Sequence, residues 1–288
     1  MNGPGASPPL SAPEGGDQTE TALSPPPSAV PPPPAVPADL RTPWGGVDLL
    51  VFTLFSVGSL LLLTNLLATI AIERFGVPID RIAQFSTTDT GFIVLRQTLW
   101  FLCILLFLYA VIRRKTTDSF WSALGWRELH FAPLAAPLLA LILLLAGSVL
   151  AIVADAASEL FTTQKQLPIQ ALFSDRRSVL YLMAYGLLIA PLAEETVFRG
   201  YVYPVLARKF GVFTGIALTG MLFGLVHAPQ LWGGWGQIAT LIAVGMVLTA
   251  ARAWIGSVLA SYLLHLGYNG FLFGGFWFAT GALRHLPR

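Results

Sequence analysis

A 288-residue chain that is 55% hydrophobic and only 11% charged cannot present an ordinary water-facing surface, because soluble domains carry charge at roughly a quarter of their positions. Its 17 basic and 15 acidic residues nearly cancel, which argues against a nucleic-acid or polyanion partner. The single cysteine, Cys103, excludes both a disulfide framework and a multi-cysteine zinc site within one chain.

Residues 1–43 hold 13 of the 21 prolines, including Pro25 to Pro27 and Pro31 to Pro34. Such a segment buries too little apolar surface to offset its ordering entropy, so a disordered, locally polyproline-II tail is expected. It lacks the basic start and apolar centre of a secretory signal peptide. From Trp44 onward come seven apolar runs: 47–72, 92–112, 133–154, 179–198, 212–228, 237–253 and 255–279. Crossing the hydrocarbon core takes about 20 helical residues, with about 17 to 25 acceptable. Lipid also forces backbone groups to bond internally, which leaves helices for runs like these. The expected fold is all-α: a polytopic transmembrane helical bundle of about seven spans, with six to eight open because the fifth and sixth runs are short. The chain divides into a tail (1–43), N-terminal membrane helices (44–178) and a C-terminal membrane domain (179–283). Arg113, Arg114 and Lys115 form the one concentrated basic cluster beside a span, which favours a cytoplasmic position for that loop. Arg96, inside the second run, is expected to snorkel to an interface. Trp232 and Trp235 are expected to anchor at one. His130 and His285 lie in polar flanks and carry no expected role.

Between Val179 and Leu283 the only acids are Glu194 and Glu195, and the only histidines are His227 and His265. An ionisable group at membrane depth costs at least a few kcal/mol and marks a bundle interior or wet cavity with a function. On a helix Glu195 and Arg199 are four apart, share a face and can pair. Glu194 points about 100° away. One carboxylate can then anchor while the other addresses a cavity, a division that lets a base have its pKa set separately. A turn is expected at Lys209 to Gly211, with Gly211 stopping the helix. Glu194 lies about 16 residues before that turn and His227 about 16 after it, so antiparallel neighbours would bring both to one depth, roughly 25 Å from the turn. His265 is followed one turn later by Asn269, and Phe223 precedes His227 by one turn. The last run carries Gly256, Gly267, Gly270, Gly274 and Gly275, which predicts close helix approach there.

The segments Glu-Glu-x-x-x-Arg at 194–199, Phe-x-x-x-His at 223–227 and His-x-x-x-Asn at 265–269 occur in this order on successive apolar runs. This set resembles the CPBP family of intramembrane proteases, which includes the type II CAAX prenyl endopeptidases and bacteriocin-processing or immunity proteins. The resemblance covers about residues 179–278. It implies Glu194 as the base activating a water that His227 positions, and His265 with Asn269 stabilising the oxyanion. Glu195 and Arg199 would hold the Glu194 helix in place. It further implies an intramembrane endopeptidase of a bacterial inner membrane, acting on a membrane-associated and in some cases prenylated protein or peptide. By residue type, Glu194, His227 and His265 also make a legitimate catalytic set for zinc or another divalent metal, with one position left for water. The soluble signature His-Glu-x-x-His is absent, so those ligands would converge from three helices. Family members are commonly described as metalloproteases, and a direct glutamate–histidine mechanism is the alternative. Two other readings stand beside the protease: a non-catalytic scaffold or immunity protein of the same fold, and a proton-coupled carrier, since buried acids and histidines also build proton relays. Against the carrier, the runs show no matching halves and the ionisable groups cluster in one half. Oligomeric state is not readable from the sequence.

Overall fold

The computed structural model describes residues 40–129, 135–161 and 167–286, so the tail up to residue 39, His130 and the start of the third apolar run lie outside the described residues. Helices α1 (Gly46–Phe75), α2 (Ile82–Thr88), α3 (Thr90–Lys115), α4 (Phe120–Ala123) and α5 (Ala135–Phe161) are followed by α6 (Arg176–Phe210), α7 (Val212–Val226), α8 (Trp235–Ile255) and α9 (Val258–Ala279). Among the described residues there are no strands. The protein is a helical membrane bundle. Among the described residues five helices, α1, α3, α5, α6 and α8, are long and apolar enough to cross a bilayer.

The other two expected spans differ in instructive ways. With 15 residues, α7 is shorter than a full crossing. α9 has 22 residues, but Ser261, His265, Asn269 and its glycines dilute its apolar character. The fourth apolar run, 179–198, is only the middle of α6, which continues for 35 residues. The apolar pattern stops at Arg199, whereas the helix does not, because Arg199 is buried and paired.

Two glycines set the contact between α5 and α9. A Cβ on Gly147 would stand 2.0 Å from the Leu264 carbonyl oxygen, and one on Gly267 would stand 2.0 Å from that of Leu144. Neither site admits alanine without separating the backbones. The close approach expected all along the last run is confined to this crossing. Gly270, Gly274 and Gly275 face open space instead.

α1, α3 and α6 meet around Trp44, Phe52, Phe101, Leu108, Ile112 and Tyr201. Trp44 stacks on Tyr201 with ring centroids 5.2 Å apart. Its indole N–H donates to the Tyr201 carbonyl at 3.0 Å. Arg208 Nη1 donates to the carbonyls of Leu40 (3.3 Å) and Thr42 (2.8 Å) and to Thr42 Oγ1 (3.0 Å), while Nη2 donates to the Trp44 carbonyl at 2.7 Å. Leu40 is itself buried against Tyr203, Ala207 and Ile216. Residues 40–43, placed in the tail by composition, are therefore packed onto α6. Their partners lie more than 160 residues away, where no local pattern reveals them.

Candidate functional site

α6 is not uniformly α-helical. π-helical segments Tyr185–Ile189 and Thr196–Val202 flank an α-helical stretch, Ala190–Glu195. Each π segment is followed within two residues by a proline, Pro191 or Pro204. A proline inside a helix lacks the N–H of its turn, and its ring crowds the carbonyl four residues back; a widened turn relieves that crowding. Donors from elsewhere reach both segments. Asn269 Nδ2 donates to the Gly186 carbonyl at 2.8 Å. Trp126 Nε1 donates to Thr196 Oγ1 at 3.2 Å, and Trp44 reaches Tyr201 as above. Such π turns inside α-helices are frequent at functional sites. Glu194 and Glu195 sit at the end of the stretch between them.

Glu195 is sealed. Its Oε1 accepts from Arg199 Nη1 at 2.8 Å and from His265 Nδ1 at 2.9 Å, and the side chain has no exposed area. Arg199 is equally buried. Its Nη2 donates to the Gly245 carbonyl at 3.0 Å and its Nε to Thr249 Oγ1 at 3.3 Å. Its guanidinium lies 4.5 Å from the centroid of the Phe223 ring. One ion pair thus ties α6 to α8 and α9 and presses on α7.

Glu194 turns away from this anchor, as a 100° rotation per residue requires. Its side chain keeps 13% of its area accessible. Oε1 lies 3.7 Å from His227 Nε2 and Oε2 lies 3.9 Å from His265 Nε2. Both separations exceed a direct hydrogen bond and suit a bridging water. Phe223 packs among the same groups, its ring centroid 4.9 Å from that of His227, 5.8 Å from His265 and 5.3 Å from Phe198.

The second ring nitrogen of each histidine fixes what the first can do. His227 Nδ1 lies 2.7 Å from the Phe223 carbonyl oxygen. A carbonyl only accepts, so Nδ1 carries the proton, and in the neutral ring Nε2 is a lone pair turned toward Glu194. His265 Nδ1 meets the Glu195 carboxylate in the same sense. Two lone pairs and one carboxylate therefore face one another, each histidine oriented by a hydrogen bond on its far side, as metal-ligating histidines usually are.

That donor set fits a divalent metal in chemistry, and it stands slightly open in geometry. Two ligands on one zinc at about 2.1 Å each would be ~3.4 Å apart, against the 3.7 and 3.9 Å found here. Among the described residues, no three His, Cys, Asp or Glu side chains are drawn together closely enough to cage an ion as they stand. Glu194, His227 and His265 are the residues that would hold one.

The structure brings Glu194, Glu195, Arg199, His227 and His265 into one cluster across α6, the end of α7, and α9. Asn269, one turn further along α9, has one amide hydrogen committed to the Gly186 carbonyl, and one remains. Thr249, Gly245, Trp126 and Trp44 were not found by sequence reasoning. Pro191 and Pro204 are the sequence signals from which the flanking π segments could have been read. Arg96 lies with its guanidinium 5.8 Å from the centroid of the Phe92 ring, one turn away. Trp232 and Trp235 are both mostly exposed and pack edge to face.

Residues 176–271, roughly a third of the chain, match the family described as type II CAAX prenyl endopeptidase Rce1-like. A 109-residue stretch is 31% identical to an "Uncharacterized 24.3 kDa protein" of Escherichia coli, covering 36% of this chain and 49% of that protein. The chain thus spans about half the length of the curated relative it matches. No solved structure matches. The matched segment opens at the first residue of α6 and closes within α9, enclosing all six residues singled out above, and over it the chain is similar to the Rce1-like type II CAAX prenyl endopeptidases.

Proposed function

We propose that this protein is an intramembrane endopeptidase that hydrolyses a peptide bond of a membrane-associated protein, using a water held between Glu194 and His227. The observation that supports this most is the division of labour between adjacent carboxylates. Glu195 is fully buried in an ion pair, while Glu194 keeps an accessible carboxylate facing two imidazole nitrogens at 3.7 and 3.9 Å.

In this reading Glu194 removes a proton from the water as its oxygen adds to the peptide carbonyl carbon, and the carbonyl π electrons move onto oxygen. His227 Nε2 accepts a hydrogen bond from the water's other O–H, which stays on the oxygen, and so aims the attacking lone pair. The oxyanion then forms beside α9. There the uncommitted amide hydrogen of Asn269 and His265 Nε2, once protonated, are the donors. The Glu195 carboxylate on Nδ1 holds that ring in its orientation. Glu194 returns its proton to the amine as the C–N bond breaks. A divalent cation held by Glu194, His227 and His265 would add Lewis-acid polarisation and a more acidic water.

The protein is integral to a membrane, and a bacterial inner membrane is the proposed setting. Prenylated proteins are the substrate class that the family description names, and they come to this chain as a proposal. The test compares purified wild type with Glu194→Gln on farnesylated and unmodified peptides ending in a CAAX sequence, both in bilayers. Cleavage lost in Glu194→Gln at an unchanged melting temperature is expected; equal cleavage by both proteins would remove Glu194 from the reaction. A well-folded wild type with no hydrolysis of membrane peptides would favour the scaffold reading, and uptake driven by a pH gradient would favour a carrier.

A further inference from the structure

Of the five spanning helices, α1 is the least covered by the rest of the protein, with 11% of its most apolar stretch buried. Phe52 and Phe55 hold one face of it against Phe107 of α3. The opposite face looks out to lipid. Val51, Leu54, Gly58, Leu61 and Asn65 lie along it, alternately three and four residues apart, and all are exposed. That alternation is the spacing of a seam between two helices.

Two residues on this face have no explanation inside one chain. Asn65 Nδ2 donates to the Leu61 carbonyl at 2.8 Å, which leaves its second amide hydrogen and Oδ1 without a partner among the described residues. Asn65 stands 17 residues from Asp48 and eight from Glu73, or ~26 and ~12 Å of helix, so its carboxamide lies within a hydrocarbon layer of about 30 Å. A polar group left unpaired there is destabilising. Gly58 also weakens a helix interior, and a Cβ on it would meet nothing within 4 Å. Gly147 and Gly267 make room for a neighbouring backbone; Gly58 makes room for a neighbour that this chain does not supply.

Symmetry identifies the occupant. Copies inserted in one membrane share one orientation, so a two-fold pair has its axis along the membrane normal and its α1 helices parallel. Each residue of the seam then meets its own counterpart at its own depth. A carboxamide is both donor and acceptor, so two Asn65 side chains satisfy each other, which neither a lipid tail nor an apolar helix can do. A single Asn in such a seam fixes its register, and a glycine lets the two backbones approach. We infer that the protein associates with a second copy of itself through the outer face of α1 from Val51 to Asn65, with the paired Asn65 carboxamides at the centre of the contact. The inference stands whether or not the protein is a protease.

The experiment uses the full chain. Leu61→Cys and, as a control, Leu102→Cys on the exposed side of α3 are made with Cys103→Ala and oxidised in the membranes of expressing cells. Leu61→Cys should give a disulfide-linked homodimer on gels run without reductant, and Leu102→Cys should not. In parallel, fluorescently labelled copies are diluted with lipid in vesicles and their association is followed by energy transfer. Asn65→Leu, at a lipid-facing position, should weaken association about 10-fold at an unchanged melting temperature, through loss of the interhelical hydrogen bonds. Asn65→Gln, which keeps a carboxamide, should retain most of the association, and Gly58→Leu should abolish it. No energy transfer at any dilution, or association unchanged in Asn65→Leu and Gly58→Leu, would overturn the proposal. Crosslinking of Leu61→Cys to a different membrane protein in place of a second copy would overturn the choice of occupant.

Discussion

Replacing Arg199 by alanine perturbs the site's anchor at a place where the cost can be worked out. Arg199 and Glu195 are both without exposed side-chain area and lie 2.8 Å apart. The truncation therefore leaves a carboxylate in the bundle interior with only His265 Nδ1 as a donor to Oε1. Breaking a buried pair by removing one partner costs about 3–5 kcal/mol. The Gly245 carbonyl also loses its Arg199 donor but keeps that of Thr249 Oγ1 at 2.7 Å, so the stranded carboxylate carries the cost. For chains somewhat smaller than this one, each kcal/mol moves the melting temperature by about 2–4 °C, so a fall on the order of 10 °C is expected. The assay is intrinsic tryptophan fluorescence during heating in detergent, with the eight tryptophans as reporters. Removing the stranded charge as well, in Arg199→Met with Glu195→Gln, should recover most of the loss, since a buried pair can be replaced by well-packed neutral groups at little cost. A single variant that melts within about 1 °C of wild type, or a double variant no more stable than the single, would refute the anchoring argument.

Glu194→Gln keeps shape and hydrogen bonding but removes the base, so turnover should fall by about 10²- to 10⁴-fold with melting unchanged; lost turnover together with a collapsed melting temperature would instead assign Glu194 to structure. His227→Ala and His265→Ala should each be similarly inactive, and combining them should add little, because groups acting as a unit are non-additive. Metal analysis of the same proteins should show divalent metal content falling with each histidine change, and content that stays constant would leave the direct glutamate–histidine route. Removing residues 1–38 should leave melting and turnover intact, whereas Trp44→Ala, which empties a fully buried ring site, should cost about 3–5 kcal/mol. Gly267→Ala should lower stability by about 1–3 kcal/mol or more, read as a melting shift, because its Cβ would meet a backbone carbonyl that cannot turn aside.

Much of the site was legible because membrane helices make ionisable residues conspicuous. Four such groups in an apolar stretch, with spacings set by 3.6 residues per turn, place Glu195 against Arg199 and turn Glu194 aside. The turn at Gly211, which has φ of 88°, let simple counting bring Glu194 and His227 to one depth, and they lie 3.7 Å apart. What pattern could not show is long-range or non-α. The Arg208 clamp on residues 40–44 joins segments more than 160 positions apart. It converts residues 40–43 from tail to packed wall. The 35-residue length of α6 was hidden because Arg199 looks like a helix-ending charge until its partners are seen. The split role of Asn269 depends on a carbonyl in a π segment, a geometry that 3.6-residue counting does not contain. Glycine density likewise announced close packing without saying that only Gly267 would use it.

The central claim is that water held by Glu194 hydrolyses a peptide bond within the membrane bundle. Its most direct test incubates full-length wild type or Glu194→Gln, reconstituted in lipid vesicles, with a membrane protein fraction in water enriched in heavy oxygen. New peptide C-termini are then identified by mass spectrometry. Hydrolysis places one heavy oxygen atom in each new carboxylate, so wild type should generate labelled termini that Glu194→Gln does not. Labelled termini appearing equally with both proteins, or with neither while both are folded, would contradict it.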